Sequence, residues 1–319
     1  MNARPLSLRT VILFVGTFCA SPSTAWLSAA DAPKSERSLI VHADDAGMSH
    51  SVNLATIEAM EKGIVTSASI LVPCPWFGEF AEYARNHPDR DYGVHLTLTS
   101  EWELYRWGPV TSRDRVPSLV DPKGYLWRDN TPVISNAKLS EAEIELRAQI
   151  ERARQFGVPL GHLDTHMGTL LSRPDLLELY VNLGIEYNLP IMFTRQATDP
   201  RLQLEYPALR GRGEQLLEAL DRHHLPVLSS VLMMYQSGEH EARKSRYLKA
   251  FGQLPKGVNE VIVHCGIDNA ELSAITSSAT LRDSDRRFVT DPEVKAELER
   301  LGITLTNWKK FQAQTSAAK

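Results

Sequence analysis

The stretch "LIVHADDAGMSH", residues 39–50, places two adjacent aspartates directly after an apolar run. The run predicts a buried β-strand, and Ser49 predicts the N-cap of the helix that follows. Neighbouring side chains of a strand point to opposite faces, so Asp44 and Asp45 can serve one site only if the strand ends there and the backbone turns. The stretch therefore predicts a strand, loop and helix unit with both carboxylates at the carboxyl end of the strand.

Similar units recur along the chain. The further strand-like runs are "SASILV" (67–72), "YGVHLTLT" (92–99), "LGHLDTHM" (160–167), "LPIMFT" (189–194), "LPVLSSVLMM" (225–234), "NEVIVHCG" (259–266) and "ITLTNW" (303–308). Helix-length segments separate many of them, which implies parallel strands joined by helical crossovers. We predict an α/β fold, a distorted (β/α) barrel in a single domain from residue 31 to 319, with an open doubly wound sheet as the alternative.

The N-terminus differs from the rest. Arg4 and Arg9 precede an apolar run over residues 11–20, and small residues follow. This layout is typical of a secretory signal peptide, because the run is about half the ~20 residues that a membrane span needs. We predict a signal peptide over residues 1–30, a mature chain without a transmembrane span and a secreted or periplasmic location; an uncleaved anchor is the alternative. In such a compartment Cys74 and Cys265 could pair, although two buried free thiols are favoured.

The composition narrows the class of partner. The 319 residues are 43% hydrophobic and carry a formal net charge of -4, so the chain has no basic field that would hold nucleic acid. We therefore expect no nucleic-acid partner, and a homodimer is left open.

The unusual polar residues gather at the predicted strand exits. Asp44 and Asp45 follow the first strand, His95 lies in the third, His166 follows the fourth and His264 lies in a late one. In parallel α/β folds the carboxyl ends of the strands open on one face, so these side chains are expected to converge.

Two histidines and a carboxylate form a ligand set suited to Zn²⁺ and to other divalent metals such as Mg²⁺. We assign Asp45, His95 and His166 as ligands, Asp44 as general base on a water, and His264 as the acid that protonates a leaving group. Each residue taken singly has a simpler explanation, since an aspartate pair can cap a helix and a strand histidine can be an ordinary interior residue.

Three other features are candidates for contact with substrate or ligands. Asp164 is expected to orient a histidine by a hydrogen bond, or to contact substrate. The long loop over residues 100–136 is rich in aromatic residues, among them Trp102 and Trp107, and such loops are often functional. We predict that the aromatic faces of Trp102 and Trp107 form a binding platform for a ligand, with a small satellite core under the loop as the alternative.

In these residues the chain resembles the YdjC-like family of carbohydrate deacetylases. The resemblance is carried by "HADDAGMS", "GIVTSASIL", "GVHLTLT", "GHLDTH" and "EVIVHCGIDN". The chain departs from the usual family pattern at Ala46 and at Met167 to Thr169, which lie near the expected substrate pocket.

The resemblance implies a distorted (β/α) barrel that hydrolyses the N-acetyl group of an amino sugar at a divalent metal. It matches Asp45, His95 and His166 to the ligands, Asp44 to the base and His264 to the acid. Arg195 is matched to an active-site arginine. The alternatives are an O-acetyl esterase or other metal hydrolase on the same scaffold, and a secreted glycan-binding protein without turnover.

Overall fold

A computed structural model describes residues 36–235 and 238–317 of the chain. The predicted signal peptide over residues 1–30 lies outside the described residues. Within the described ranges, no helix has the length and hydrophobicity that a membrane span requires. Cys74 and Cys265 are buried and unpaired, as the sequence favours.

The described chain forms a parallel sheet surrounded by helices. The strands are β1 Arg37–Ala46, β2 Ser67–Ile70, β3 Tyr92–Leu96, β4 Leu160–Thr165, β5 Ser230–Met233, β6 Gly257–Val263 and β7 Thr304–Leu305. The α-helices are α1 His50–Lys62, α2 Phe77–Asn86, α3 Asn130–Asn136, α4 Leu139–Gln155, α5 Pro174–Tyr187, α6 Pro200–Glu205, α7 Gly213–Arg222, α8 His240–Phe251, α9 Ala270–Ile275, α10 Ala279–Thr290, α11 Pro292–Arg300 and α12 Trp308–Ala317.

The strand order is β4-β3-β2-β1-β6-β5, and β7 pairs with the start of β1. The outer strands are linked through residues 189–194, because Ile191 forms a parallel bridge to Leu163 in β4, and Thr194 forms one to Leu228 just before β5. These isolated bridges connect the two edges of the sheet without a regular strand, so the sheet approaches a distorted barrel that is not closed by continuous pairing. The predicted α/β single-domain fold with parallel strands is confirmed, but the predicted strand over residues 189–194 is reduced to these bridges.

Below the strand exits, the interior contains both apolar and polar buried side chains. Ile40, Leu228 and Trp308 form a small buried cluster of their own. His162 stacks on Trp308, with ring centroids 5.7 Å apart. A side chain at position 93 would collide with this histidine, since a Cβ built on Gly93 lies 2.3 Å from Nε2 of His162. A glycine is therefore required beside the buried imidazole.

The aspartate pair sits on an irregularity of β1. The sequence predicts that the strand ends at these residues. In the structure it continues through Ala46 instead, with a register shift between Ala43 and Ala46. Asp45 has φ of 69°, which is rare for a residue other than glycine. A bulge of this kind re-aims side chains, so both carboxylates reach the same end of the barrel.

Helix α1 has the predicted N-cap, because the Ser49 side chain accepts a hydrogen bond from the Val52 amide. The segment over residues 100–136 is less irregular than expected, since it ends in α3.

Candidate metal centre and active site

Asp45, His95 and His166 converge at the carboxyl ends of β1, β3 and β4. Each of them offers one ligand atom, and these atoms all lie within 4.8 Å of one another. Oδ1 of Asp45 is 3.4 Å from Nε2 of His95 and 3.4 Å from Nδ1 of His166. All three side chains are buried.

This spacing fits a divalent metal better than a set of hydrogen bonds. Oδ1 of Asp45 is buried and accepts no hydrogen bond from any residue in the described ranges. In a tetrahedral site with metal–ligand distances of ~2.0–2.2 Å, ligand atoms lie about 3.3–3.6 Å apart. The residues present therefore fit a metal ion.

The second oxygen of Asp45 is held by an arginine from the far end of the chain. Nη2 of Arg282, in α10, donates to Oδ2 of Asp45 at 2.6 Å, and both side chains are buried. Burial raises the pKa of Asp45, but Arg282 and the two imidazoles outweigh burial and hold the pKa well below its usual value. Asp45 is therefore an anion with one oxygen anchored and the other directed at the histidines.

The two oxygens of Asp44 also have different surroundings. Oδ1 lies 3.1 Å from Nε2 of His42 and accepts from the Ser69 hydroxyl at 3.4 Å. Oδ2 lies 3.8 Å from Nε2 of His95 and 3.8 Å from Nε2 of His264. The second oxygen thus faces the metal-binding group without occupying it.

The ring nitrogens of His95 and His166 that point away from Asp45 each contact a carboxylate. Nδ1 of His95 is 2.6 Å from Oδ1 of Asp164, and Nε2 of His166 is 3.0 Å from Oε2 of Glu101. Such contacts fix the tautomer and orientation of metal-binding histidines. Burial lowers the pKa of His166, but Glu101 and Asp45 outweigh it and raise the pKa to about 9.

His264 lies just beyond β6 and is mostly buried. Its ring makes an edge contact with Tyr235, with centroids 5.0 Å apart, and its backbone amide donates to Asp285 at 3.0 Å. Burial lowers the pKa of His264. The imidazole is therefore neutral at neutral pH until a proton reaches it.

The aromatic loop covers one side of the cluster. Trp102 and Trp107 have ring centroids 5.2 Å apart, and Trp107 lies 6.4 Å from the ring of His166. Trp107 is only 3% exposed, whereas Trp102 is partly exposed and has the guanidinium of Arg282 6.0 Å above its ring. Trp102 therefore has surface available for a ligand, and Trp107 belongs to the core.

Arg195, which the resemblance matches to an active-site arginine, contacts Asp221 and not Asp45. It forms a two-point ion pair with Asp221, and both side chains are 49% exposed. The guanidinium that contacts the metal-binding group is that of Arg282.

A second group of possible ligand atoms comprises His42, Asp44 and Asp164. Nε2 of His42 lies 3.1 Å from Asp44 Oδ1 and 3.0 Å from Asp164 Oδ2, which are hydrogen-bond distances. Close contacts of Nε2 of His42 therefore join the three residues of this group. In the group around Asp45, by contrast, Oδ1 of Asp45 accepts no hydrogen bond from a described residue.

Sequence analysis did not identify three residues of this site. Glu101 and Arg282 come from a loop and a distant helix, and His42 lies inside an apolar strand, upstream of the strand exit. The alternation of strand side chains could have identified His42, because residues 42 and 44 share one face of β1.

Comparison with known proteins places the chain among relatives of similar length. A carbohydrate deacetylase of Brevibacillus brevis is 39% identical over 272 residues, which cover 85% of this chain and 98% of the relative. A carbohydrate deacetylase of Thermoanaerobacter pseudethanolicus is 28% identical over 270 residues, covering 85% and 97%.

A solved structure from Enterococcus faecalis V583, provisionally described as a cellobiose-phosphate cleavage protein, is 28% identical with a TM-score of 0.71. The match covers 86% of this chain and 98% of that one. A family model described as YdjC-like protein matches residues 38–300. The chain therefore belongs to the YdjC-like protein family.

Proposed function

We propose that this protein is a metal-dependent hydrolase that removes N-acetyl groups from amino sugars. The observation that carries the proposal is the arrangement of Asp45, His95 and His166 around one point, with Oδ2 of Asp44 beside it. The names of the curated relatives, which are carbohydrate deacetylases, support the same reaction.

Zinc is the metal that we propose for this site. The donor set is one carboxylate and two imidazoles, which suits Zn²⁺, whereas Mg²⁺ prefers oxygen ligands in octahedral geometry. The 3.4 Å separations of Asp45 Oδ1 from both imidazole nitrogens support tetrahedral coordination.

Asp45, His95 and His166 would hold the divalent metal, which would supply a Lewis acid to polarise the acyl carbonyl and lower the pKa of a water. Asp44 takes the proton of that water on Oδ2 while its Oδ1 stays anchored. His264, neutral at rest with its Nε2 3.8 Å from Oδ2 of Asp44, receives a proton from Asp44 through one intervening water and passes it to the departing amine. Arg282 keeps Asp45 ionised throughout.

The sugar is proposed to contact the partly exposed face of Trp102, because amino-sugar rings stack on aromatic side chains. This surface lies beside Arg282 and thus close to Asp45. Met167 follows His166 directly and is 44% exposed, so it is proposed to line the same mouth. From the pattern of residues 1–30 we propose that the protein acts outside the cytoplasm, on a periplasmic or extracellular glycan.

Acetate release by the mature chain tests the proposal. The substrates are N-acetylated chito-oligosaccharides and matched O-acetylated sugars, assayed after chelation and after addition of Zn²⁺ or Mg²⁺. The proposal predicts metal-dependent release from the N-acetyl substrates. Release from the O-acetyl sugars alone would indicate an esterase, and no release with metal bound would favour a glycan-binding protein.

A further inference from the structure

His42 lies below the site, in the interior of the barrel. It precedes Asp44 by two residues on the same face of β1 and is 1% exposed. Its Nε2 is 3.1 Å from Oδ1 of Asp44 and 3.0 Å from Oδ2 of Asp164. One ring nitrogen therefore contacts two carboxylates that come from different strands.

The geometry decides which atom carries the proton. Carboxylate oxygens are only acceptors when ionised, so a nitrogen between two of them must carry hydrogen and donate. The opposite nitrogen, Nδ1, is 3.0 Å from the Ser67 hydroxyl and 3.4 Å from Oε1 of Glu260. Polar partners at both ends thus fix the orientation of the ring.

The two carboxylates that His42 contacts, Asp44 and Asp164, make different contacts with the proposed metal site. Asp164 contacts Nδ1 of His95 through Oδ1, and its Oδ2 contacts His42. Asp44 presents Oδ2 to the site, and its Oδ1 contacts His42. The imidazole therefore sets the position of both carboxylates at once.

We propose that His42 is a positioning residue for the hydrolytic step, whose Nε2–H holds Asp44 at the angle needed for proton abstraction and ties it to the carboxylate that orients His95. This inference rests on the proposed function, because Asp44 is the base only in that reaction. His42 itself touches neither substrate nor metal. Its loss should slow turnover while substrate and metal still bind.

The competing explanation is a second metal held by His42, Asp44 and Asp164. The single Nε2–H forms a hydrogen bond to Asp164 at 3.0 Å and an ion-pair contact with Asp44 at 3.1 Å, so no ion is needed to join these atoms. The number of bound metal ions separates the two explanations.

The experiment compares His42→Leu, which removes the donor, with His42→Gln, whose amide can donate to both carboxylates. His162→Leu is the matched control. His162 is also fully buried, lies 5.0 Å from His42 between ring centroids, and has neither ring nitrogen hydrogen-bonded to a described residue. Each variant is measured for kcat and KM on an N-acetyl chito-oligosaccharide, for bound metal per chain, and for thermal unfolding.

The proposal predicts that kcat of His42→Leu falls about 10–100-fold with KM nearly unchanged and one metal bound per chain. His42→Gln should recover much of the loss, and His162→Leu should keep kcat near that of the wild type. A wild-type kcat in His42→Leu would overturn the proposal, as would a His42→Gln variant as slow as His42→Leu. Two metals in the wild type and one in His42→Leu would favour the second-metal explanation instead. If His42→Leu fails to fold, the NMR readout on Asp44→Asn and Asp164→Asn decides.

A further readout works without turnover. The imidazole N–H of His42, observed by NMR in ¹⁵N-histidine-labelled metal-free protein, should shift in both Asp44→Asn and Asp164→Asn. A wild type that releases no acetate but shows these shifts refutes the proposed function and keeps the structural link. An unshifted N–H refutes the link, whatever the activity.

Discussion

His95 and Asp164 are directly opposite each other on β3 and β4, and Nδ1 of His95 lies 2.6 Å from Oδ1 of Asp164. The register of two parallel strands thus sets the orientation of an imidazole whose other nitrogen faces Asp45. Burial raises the pKa of Asp164, but His95 and His42 outweigh burial and hold the pKa well below its usual value. A carboxylate that stays ionised keeps the tautomer of His95 with Nε2 free to bind a metal.

Glu101 is expected to do for His166 what Asp164 does for His95. Removal of its charge in Glu101→Gln should weaken metal binding about 10–100-fold, since loss of such outer contacts has this effect on metal sites. The measurement is Kd by competition with a chelator. Glu103→Gln is the control, because that side chain is 84% exposed and pairs with Arg128. Equal Kd values for both variants and the wild type would remove Glu101 from the site.

Arg282 should contribute most to the free energy of unfolding when the metal is absent. Arg282→Gln leaves Asp45 as a buried charge without its partner, which should destabilise the metal-free protein by about 3–5 kcal/mol. A bound metal supplies the missing positive charge, so the loss should be smaller in loaded protein. Denaturant unfolding with and without chelator checks both values, and exposed Arg300→Gln serves as control. An equal loss in both forms would contradict the assigned charge balance.

Trp102 and Trp107 should respond differently to truncation. Trp102→Ala should raise KM about 3–10-fold with little change in stability, as expected for loss of one stacking contact. Trp107→Ala should instead cost about 3–5 kcal/mol of unfolding free energy, because the ring is buried. Steady-state kinetics and thermal unfolding of both variants test the distinction. An unchanged KM in Trp102→Ala would favour a purely structural loop.

The raised pKa of Glu260 predicts that the folding stability of the protein depends on pH in a defined range. Burial raises the pKa of Glu260 from its ordinary value of 4.5 to about 8. Because the folded state favours the neutral form, its stabilising effect is complete below pH 4.5 and is lost as the pH rises through about 8. Wild type should therefore lose stability relative to Glu260→Gln across this window, in Tm measured against pH. Exposed Glu299→Gln is the control, and parallel profiles for wild type and Glu260→Gln would contradict the prediction.

Much of the fold could be predicted because its strands are short apolar runs with polar exits. The residues at those exits, Asp45, His95 and His166, do lie together, since parallel strands open on one face. The family could also be recognised, because its motifs are ordered along the chain and span most of it.

The rest of the site depends on features that local sequence does not encode. The bulge at Asp45 needs a positive φ that nothing in an aspartate pair predicts. Arg282 meets Asp45 across 237 positions of sequence, a contact that only the packing of α10 creates. His42 is within reach of prediction from strand alternation, but a histidine in an apolar strand has no local feature that distinguishes a functional residue from an interior one.

We propose that Asp44 acts on the water while Asp45, His95 and His166 hold the metal. The most direct measurement is metal content and acetate release of Asp44→Asn and His95→Ala, assayed side by side. The account predicts that Asp44→Asn keeps one metal per chain and loses turnover, whereas His95→Ala loses both. An Asp44→Asn enzyme with a near-normal rate, or a His95→Ala enzyme that keeps its metal, would contradict it.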